Sequence, residues 1–268
     1  MSSPTDAKVA LVTGGGSGMG KAVVEYLASE GWKVSIADIN EKSGAAVAKA
    51  TSGIFNKTDV SNYDGMLKAF SSTFEKWNRL DFVFANAGIL DPTNFYAEST
   101  LPPPKPSYKA TEVNLNGAIY SVYLSMHYTR KNPVPGGFVL VTGSAAGIYA
   151  NAAMPTYGAA KHGVVGLVRG AGRRLARENI RVSTILPGPV NTNITESTAV
   201  EIVPGGVNPF GDDVWTTTRN IIDAAMQLYN DPEAGGKVLE VSKGNFYERE
   251  QPDWGDELMK KVLMGTVY

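Results

Sequence analysis

Ser144, Tyr157 and Lys161 together have the functional groups needed to move a proton to or from an alcohol oxygen. Tyr157 and Lys161 are four positions apart at the start of a helical pattern, so the phenol and the ammonium share one helix face. A free phenol has a pKa of about 10, and we expect the cation to lower it until phenolate can act as a base. Tyr and Lys at this spacing also occur on ordinary helix surfaces. The spacing alone therefore does not identify a catalytic pair, and neighbouring residues must support that interpretation.

Ser144 provides that context, because it follows a predicted strand thirteen positions before Tyr157. A hydroxyl at the carboxyl end of a strand is well placed to hydrogen-bond a reacting oxygen. Ser144 is not predicted to be a hydrolase nucleophile, since no G-x-S-x-G sequence surrounds it. His127 and His162 are the only histidines, and neither has a partner at ligand spacing, so no metal site is predicted.

A glycine-rich turn near the N-terminus predicts a dinucleotide site. The first predicted strand is followed by Thr13-Gly14-Gly15-Gly16-Ser17-Gly18-Met19-Gly20, and a helical pattern begins at once. Glycine tolerates positive φ and leaves room for a pyrophosphate, which the N–H groups and the dipole of the following helix attract. The residues of this turn that we assign to the cofactor are Gly14, Ser17, Gly18, Met19 and Gly20.

Asp38 ends the second predicted strand, eighteen positions after Gly20, where an acid can bind the ribose hydroxyls. Its charge would repel a 2′-phosphate, and no Arg or Lys occurs within Gly14 to Gly20 or between Ile39 and Glu41. The sequence therefore predicts NAD rather than NADP, with Ile39 beside the cofactor. Asp38 is also placed to cap a helix that starts near Glu41, and both roles are compatible.

Short apolar runs alternate with longer helical stretches, which predicts βαβ units. Several runs are continuously apolar, as parallel strands covered on both faces are. The predicted strands are Val9 to Val12, Lys33 to Asp38, Gly53 to Phe55, Phe82 to Ala85, Phe138 to Thr142, Arg181 to Leu186 and Lys237 to Val241. The predicted helices are Gly18 to Ser29, Glu41 to Thr51, Tyr63 to Trp77, Tyr108 to Lys131, Thr156 to Arg177 and Asp213 to Tyr229. We predict one α/β domain over residues 1–268, with a Rossmann-type doubly wound parallel sheet flanked by helices on both faces.

The composition narrows the function classes. The 25 Lys and Arg nearly balance the 26 Asp and Glu, so the chain has no overall field for nucleic acid or an anionic membrane, and neither is an expected partner. The N-terminal apolar run from Val9 to Val12 is too short for a signal or a membrane span. The absence of cysteine excludes disulfides and thiolate catalysis and fits a reducing compartment. We expect a cytoplasmic protein.

Taken together, these motifs resemble those of the short-chain dehydrogenases/reductases, from Val9 to about Gly244. The turn matches TGxxxGxG of that family, Asn86-Ala87-Gly88 matches the end of its NNAG, and Pro187-Gly188-Pro189-Val190-Asn191-Thr192 matches its PGxxxT loop. The family tetrad is matched by Asn114, Ser144, Tyr157 and Lys161. Two positions depart from the pattern without removing a reacting group: Ala85 replaces the first Asn of NNAG, and Gly143 replaces a frequent Ser.

The resemblance implies roles for further residues. Asp59 and Val60 would flank the adenine, and the segment Asn86, Ala87 and Gly88 would line the cofactor cleft. Lys161, beside Tyr157, would hold the nicotinamide ribose, and Asn114 would organise a water that relays protons through Lys161. The remaining cofactor contacts implied by the resemblance are Pro187, Gly188, Val190 and Thr192, of which Val190 and Thr192 would contact the carboxamide.

Within the family the chain is most similar to the NAD-dependent 15-hydroxyprostaglandin dehydrogenase group, chiefly over residues 157–166 and 187–194. We therefore predict an NAD-dependent oxidoreductase that interconverts an apolar secondary alcohol and its ketone, with Tyr157 as general base or acid. Three alternatives stay open at this point: an NADH- or NADPH-dependent ketoreductase of a biosynthetic pathway, a cyclase that uses the pocket only for binding, and a non-catalytic nucleotide-sensing protein of the same fold.

Two segments outside the motifs could cover the substrate site, and the chain is expected to assemble with copies of itself. The segment 187–212, rich in proline and glycine, is the predicted substrate lid, against the alternative of a surface loop without a role. The tail 245–268 mixes apolar and charged residues and is predicted to cover either the cleft or a neighbouring subunit. The family resemblance implies a homodimer or homotetramer built on the helices Tyr108 to Lys131 and Thr156 to Arg177.

Overall fold

The computed structural model describes residues 7–91, 94–190 and 215–265. Most of the predicted lid and the site residue Thr192 lie outside these ranges. Within them, eight strands form one sheet in the order β3-β2-β1-β4-β5-β6-β7-β8. The strands are β1 Val9–Thr13, β2 Lys33–Asp38, β3 Ile54–Lys57, β4 Phe82–Ala85, β5 Gly137–Thr142, β6 Ile180–Pro187, β7 Val238–Ser242 and β8 Asn245–Glu248.

The first seven strands are parallel, and the strand order changes direction between β1 and β4. The predicted doubly wound α/β fold is thereby confirmed. In such a sheet, ligands bind outside the carboxyl ends of the strands at this switch point. The eighth strand pairs antiparallel with β7 and was not predicted, because its side chains are mostly exposed and show no apolar pattern.

Helices cover both faces of the sheet. They are α1 Gly18–Ser29, α2 Glu41–Ala50, α3 Tyr63–Trp77, α4 Lys109–Thr111, α5 Gly117–Thr129, α6 Pro155–Leu175, α7 Thr218–Asn230 and α8 Glu257–Gly265. A π-helical segment, Glu112–Asn116, joins α4 to α5, and 3₁₀ turns cover Ala145–Gly147 and Ala176–Glu178. The helix predicted from Asp213 starts in the described chain only at Thr218, where Thr217 and Asn220 form a capping box.

The apolar core consists of two layers, one on each face of the sheet, and alternate residues of the core strands point into one layer or the other. Val12 and Ile36 pack with Val24 and Leu27 of α1 on one face, where α7 adds Ile221. On the other face, apolar residues of α3, α5 and α6 pack against the opposite side chains of the strands, among them Leu11, Val83, Phe70, Val122 and Val164. All five residues of β1 are buried, as its unbroken apolar sequence predicts. This packing fixes the strand ends that carry the site.

Candidate active site

The turn between β1 and α1 is held by close backbone contacts. Gly14 has φ +63°, and a Cβ there would lie 2.9 Å from the Cα of Ala87. A Cβ on Gly20 would lie 2.2 Å from the carbonyl oxygen of Gly14, so Gly20 packs under the turn and does not line the cavity above it. The side chain of Ser17 at the N-cap of α1 makes no capping bond, and the first turn of α1 has no acid. The helix therefore presents free amides and a positive dipole end to an anion.

A cavity of about 280 Å³ opens above this turn. Eleven residues that the sequence assigned to the cofactor line it: Gly14, Ser17, Gly18, Met19, Asp38, Ile39, Asp59, Val60, Asn86, Ala87 and Gly88. Five lining residues were not predicted, namely Ala37, Thr58, Ile89, Lys109 and Val113. The first three are direct neighbours of predicted residues, whereas Lys109 and Val113 come from the distant α4–α5 region and belong to no motif.

Asp38 is 9% exposed and holds the turn from below. One carboxylate oxygen accepts a hydrogen bond from Gly16 N at 2.9 Å, and the other accepts one from Asn40 N at 2.8 Å. The interpretation of Asp38 as the cap of α2 is wrong. Asn40 directly precedes the helix, and its side chain accepts the hydrogen bond from Ser43 N at 3.1 Å. Each carboxylate oxygen of Asp38 can still accept a second hydrogen bond from a ligand in the cavity, which Asp38 lines.

Asp59 lies at the cavity wall with its charge already compensated. Hydrogen bonds from the hydroxyl of Ser61 at 2.6 Å and from Ser61 N at 2.9 Å lower the pKa of this carboxyl, with a smaller contribution from Lys109. The ammonium of Lys109 lies 3.9 Å from Asp59 and 3.7 Å from Glu112. Lys109 is therefore a cation at the cavity wall that forms ion pairs with two carboxylates.

Asn86 ties the ends of three strands together. Its side-chain amide donates to Thr13 O at 3.2 Å, its backbone N–H donates to the hydroxyl of Thr13 at 3.0 Å, and its Oδ1 accepts from the hydroxyl of Thr142 at 3.3 Å. Thr13 ends β1, Asn86 follows β4, and Thr142 ends β5. The hydrogen bonds therefore fix the floor of the cleft where the sheet changes direction.

Ser144, Tyr157 and Lys161 come together beyond this floor. Lys161 is 3% exposed, and its Nζ donates to Thr142 O at 2.8 Å and lies 5.7 Å from the centre of the Tyr157 ring. Interaction with the Ser144 hydroxyl acts to lower the pKa of the Tyr157 phenol, so the two hydroxyls are neighbours. The predicted trio is thus one cluster, formed by the carboxyl end of β5 and the first two turns of α6.

The expected lowering of the phenol pKa is wrong, because the net shift of the Tyr157 pKa is upward. Burial raises the pKa of Tyr157 above its ordinary value, and the interaction with Ser144 opposes this only in part. Burial also lowers the pKa of Lys161 to about 8. The spacing did predict that the cation is adjacent. It gave no information on how far both groups are removed from water, and desolvation is the dominant cause for each.

Asn114 lies in the π-helical segment and is 3% exposed. Its amide nitrogen donates to Ile89 O, and its Oδ1 accepts from Ile89 N, both at 2.8 Å. A Cβ on Gly88 would lie 3.0 Å from this Oδ1 and 3.8 Å from Lys161 Nζ. Asn114 and Lys161 therefore approach the same glycine, and that glycine lines the cavity. The water-organising role of Asn114 stays a prediction.

Three of the residues in the predicted PGxxxT loop lie apart from the cavity wall. Pro187 ends β6, and Gly188 N donates to Val241 O of β7 at 3.0 Å. Val190 is buried and forms a parallel bridge with Thr216, whose N–H donates to Pro189 O at 2.8 Å. The chain on both sides of residues 191–214 is thus held at one place beside β7. Contacts of these residues with a cofactor stay predictions.

Neither a metal centre nor a membrane span is evident in the described ranges. No three His, Asp or Glu side chains among these residues are grouped so that they could hold a metal ion. No helix in the same part of the chain has the length and apolar character needed to cross a membrane.

Comparisons with known proteins agree with this geometry. The sequence pattern of the family described as short chain dehydrogenase matches residues 8–201. The chain is 35% identical to short-chain dehydrogenase/reductase prx7 of Penicillium rubens, over 93% of this chain and 96% of the relative. It is 29% identical to the human (Homo sapiens) 15-hydroxyprostaglandin dehydrogenase [NAD(+)], over 91% and 94%.

Solved structures show the same architecture. The crystal structure of levodione reductase superposes with a TM-score of 0.76 at 28% identity, covering 88% of this chain and 96% of that one. A 3-ketoacyl-(acyl-carrier-protein) reductase from Brucella melitensis, complexed with NADH, superposes with the same TM-score at 23% identity, covering 88% and 97%. The second likeness supports the fold alone.

Proposed function

The chain belongs to the short-chain dehydrogenase/reductase family of oxidoreductases, which use a nicotinamide cofactor, and we propose that it transfers a hydride between NAD and the carbinol carbon of an apolar secondary alcohol. The observation that carries this proposal is the position of the Ser144, Tyr157 and Lys161 cluster. It adjoins Gly88, where Lys161 and Asn114 approach the wall of a cavity built like a dinucleotide site.

The residues present fit a nicotinamide dinucleotide. The backbone at Gly14 packs too closely against Ala87 to admit a side chain, and the first amides of α1 have no side-chain partner. These features suit a pyrophosphate. Ser17 and Gly18 would hold the phosphates, and Asp38 would accept hydrogen bonds from the adenosine ribose.

NAD is favoured over NADP by the charges around this cavity. Asp38 lines it, and a carboxylate repels a 2′-phosphate. Among the described lining residues the only cation is Lys109, and it is held by Asp59 and Glu112. The charges of these two carboxylates therefore already balance the one cation among the described lining residues, which disfavours an additional phosphate.

When bound, the nicotinamide accepts or gives the hydride. The protein provides placement and proton transfer at one oxygen. The hydroxyls of Ser144 and Tyr157 would hydrogen-bond the substrate oxygen. During oxidation, the carbinol C–H bond gives up its hydride, the O–H proton passes to the phenolate oxygen of Tyr157, and the C–O bond becomes a carbonyl. During reduction, the phenol returns the proton. In either direction a charged Lys161, 5.7 Å from the ring centre, would favour the phenolate, against the burial that raises the pKa of Tyr157.

The raised pKa of Tyr157 specifically favours ketone reduction as the second candidate function. A phenol that stays protonated at neutral pH is ready to donate to a developing alkoxide, whereas oxidation must first remove its proton. Similarity to levodione reductase of Leifsonia aquatica, 33% identical over 76% of this chain, is compatible with this direction. The similarity to 15-hydroxyprostaglandin dehydrogenase supports an apolar secondary alcohol and NAD.

The test is a panel of apolar secondary alcohols and their ketones, each assayed with the oxidised and reduced forms of both nicotinamide dinucleotides. Absorbance of reduced nicotinamide reports turnover, and fluorescence titration reports binding. The proposal expects turnover with NAD or NADH and at least tenfold weaker use of NADP or NADPH, a ratio that corresponds to about 1.4 kcal/mol. Cofactor binding without turnover across the whole panel would support a nucleotide-sensing protein instead.

We also infer that the chain forms a homodimer or homotetramer through α5 and α6, as the family resemblance implies. Ile119 and Tyr123 of α5 are 40% and 47% exposed, and a Cβ on Gly166 or Gly170 of α6 would meet no atom within 4 Å. These surfaces are free to pack against a second copy. Light scattering during size exclusion tests the assembly, and a monomer at micromolar concentration would contradict it. The cytoplasmic location stays a prediction.

A further inference from the structure

Ser144 opens a short hydrogen-bonded turn that ends at Tyr149. The hydroxyl of Ser144 accepts a hydrogen bond from Ala146 N at 3.2 Å, and its carbonyl oxygen accepts one from Gly147 N at 2.7 Å. Tyr149 N donates to Ala145 O at 3.0 Å. The direction of the Ser144 hydroxyl therefore depends on the course of the chain as far as Tyr149.

The middle of this turn packs against the sheet and against α6. A Cβ on Gly147 would lie 2.8 Å from the carbonyl oxygen of Lys161, and Ile148 packs in an apolar cluster with Val165 and Val238. Tyr149 differs, because it is 49% exposed and burial can contribute little to its position. The end of the turn is held by polar contacts instead.

The hydroxyl of Tyr149 belongs to a closed set of hydrogen bonds with Glu240 and Arg249, called the Tyr149 network below. It donates to Glu240 Oε2 at 3.0 Å and accepts from Arg249 Nη2 at 3.1 Å. Nε of Arg249 donates to the same Oε2 at 2.6 Å. An exposed ion pair would stabilise the protein little, but Glu240 is only 9% exposed. Loss of a partner would leave a poorly solvated charge, so the network resists opening.

The Tyr149 network lies at the end of the sheet that carries Ser144. Glu240 of β7 pairs in register with Leu186 of β6, and the preceding Ile185 pairs with Thr142 at the end of β5. Glu240 is therefore level with the single residue between Thr142 and Ser144. In a doubly wound sheet, ligands bind outside this end of the strands. The network is thus placed to act on the substrate side of the cleft.

The backbone of Arg249 is fixed from two sides. Its N–H donates to Val238 O of β7 at 2.8 Å. From α6, Nη2 of Arg169 donates to the carbonyl oxygen of Arg249 at 3.1 Å and to that of Glu250 at 2.7 Å. The guanidinium that binds Glu240 is therefore anchored both to the sheet and to the helix that carries Tyr157.

We propose that Tyr149 is a positioning residue: the Tyr149 network, completed by Arg249 of the C-terminal segment, holds the turn that begins at Ser144 and so directs the Ser144 hydroxyl toward the substrate oxygen. The proposal rests on the proposed function, because that function gives Ser144 its contact with the substrate. Tyr149, Glu240 and Arg249 take no part in the proton transfer.

The first test compares Tyr149→Phe with Glu248→Gln as the matched control. Tyr149→Phe keeps the ring and removes both hydrogen bonds of the hydroxyl. Glu248→Gln removes the ion pair of β8 with Lys237 at 3.0 Å, which lies outside the Tyr149 network. The single-turnover rate of hydride transfer should fall roughly 10-fold in Tyr149→Phe, with the Kd of the cofactor within about twofold of wild type. Glu248→Gln should keep the wild-type rate.

A double-mutant cycle with Ser144→Ala separates positioning from a general loss of structure. Because Tyr149 acts through Ser144, Tyr149→Phe should lower the rate roughly 10-fold in wild type but less than about twofold in Ser144→Ala. An equal loss in both backgrounds would overturn the proposal, since Tyr149 would then act independently of Ser144.

Hydrogen exchange gives a readout that does not depend on activity. Amides of residues 146–148 should exchange faster in Tyr149→Phe than in wild type, and Glu248→Gln should leave them unchanged. A wild-type rate of hydride transfer or wild-type exchange in Tyr149→Phe would overturn the proposal. If Ser144→Ala is too slow to measure, the exchange data decide in place of the cycle. If wild type turns over no alcohol or ketone, the proposed function fails, and the exchange data alone then decide whether the Tyr149 network holds the turn.

Discussion

Replacing Lys161 with methionine should abolish activity and yet make the folded protein more stable at neutral pH. Burial lowers the pKa of this lysine from 10.5 to about 8. That drop corresponds to a cost of roughly 3 kcal/mol for keeping the ammonium buried below pH 8. Methionine has similar length and no charge, so it removes the cost. The carbonyl of Thr142 loses its donor, which costs about 1–2 kcal/mol. The net expectation at pH 7 is a gain of about 1–2 kcal/mol.

The pH dependence of this gain is the sharper test. Because the folded pKa of Lys161 is depressed, the unfolded chain binds more protons between pH 8 and 10.5. Wild-type stability therefore rises with pH through that window, and the methionine variant lacks this contribution. The advantage of the variant should shrink by roughly 2 kcal/mol between pH 7 and pH 10.

Urea unfolding of both proteins, followed by tryptophan fluorescence, measures this difference, and other titrating groups cancel in the comparison. Lys68→Met is the matched control, because Lys68 is exposed on α3 and has no burial cost to relieve. A stability difference between wild type and Lys161→Met that is independent of pH would refute the reasoning. A variant that is less stable by the same amount at every pH would do so as well.

Four further outcomes follow from the structure. Asp38→Asn keeps the side-chain shape but loses its charge, so NADPH should bind roughly 3-fold to 10-fold tighter relative to NADH by fluorescence titration, and an unchanged ratio would contradict the cofactor assignment. Gly20→Ala places a Cβ 2.2 Å from Gly14 O and should cost about 2 kcal/mol or more in urea unfolding. Gly65→Ala on α3 should gain up to about 1 kcal/mol, because its Cβ would lie 3.5 Å from the nearest atom, Asn62 Oδ1, and equal effects of the two glycine substitutions would contradict the packing. Alcohol oxidation should rise with pH from about pH 6 to about pH 8, because the raised pKa keeps Tyr157 protonated while Lys161 stays charged below its pKa of about 8, and a flat rate profile would count against Tyr157 as the base.

The fold was predictable because each strand and helix of its core has a recognisable sequence pattern of its own. Strands such as β1 are apolar throughout, since both faces of the sheet are covered, and this sets them apart from the helices between them. The edge strand β8 gave no such signal, because it is mostly exposed and depends on pairing with β7. The start of α2 at Glu41 was predicted, but its capping residue Asn40 was missed, because Asp38 and Asn40 are both good caps and only the course of the chain decides between them.

The site was predictable where its residues lie in one motif, as around Gly14 and at Tyr157 with Lys161. Lys109 and Val113 were missed for the opposite reason. Each reaches the cavity through tertiary packing, from a segment whose sequence carries no pattern for that role. The direction of the Tyr157 pKa shift also depends on packing, since sequence spacing gives the nearness of a cation but not the burial of the phenol.

The most direct test of the central claim is the rate of hydride transfer in Tyr157→Phe, measured in a single turnover with saturating cofactor and a substrate that wild type accepts. Phenylalanine keeps the shape of the ring and removes the proton-transferring hydroxyl. The account predicts a rate that falls by roughly 10² to 10⁴ while the Kd of the cofactor stays unchanged. A rate near that of wild type would contradict it.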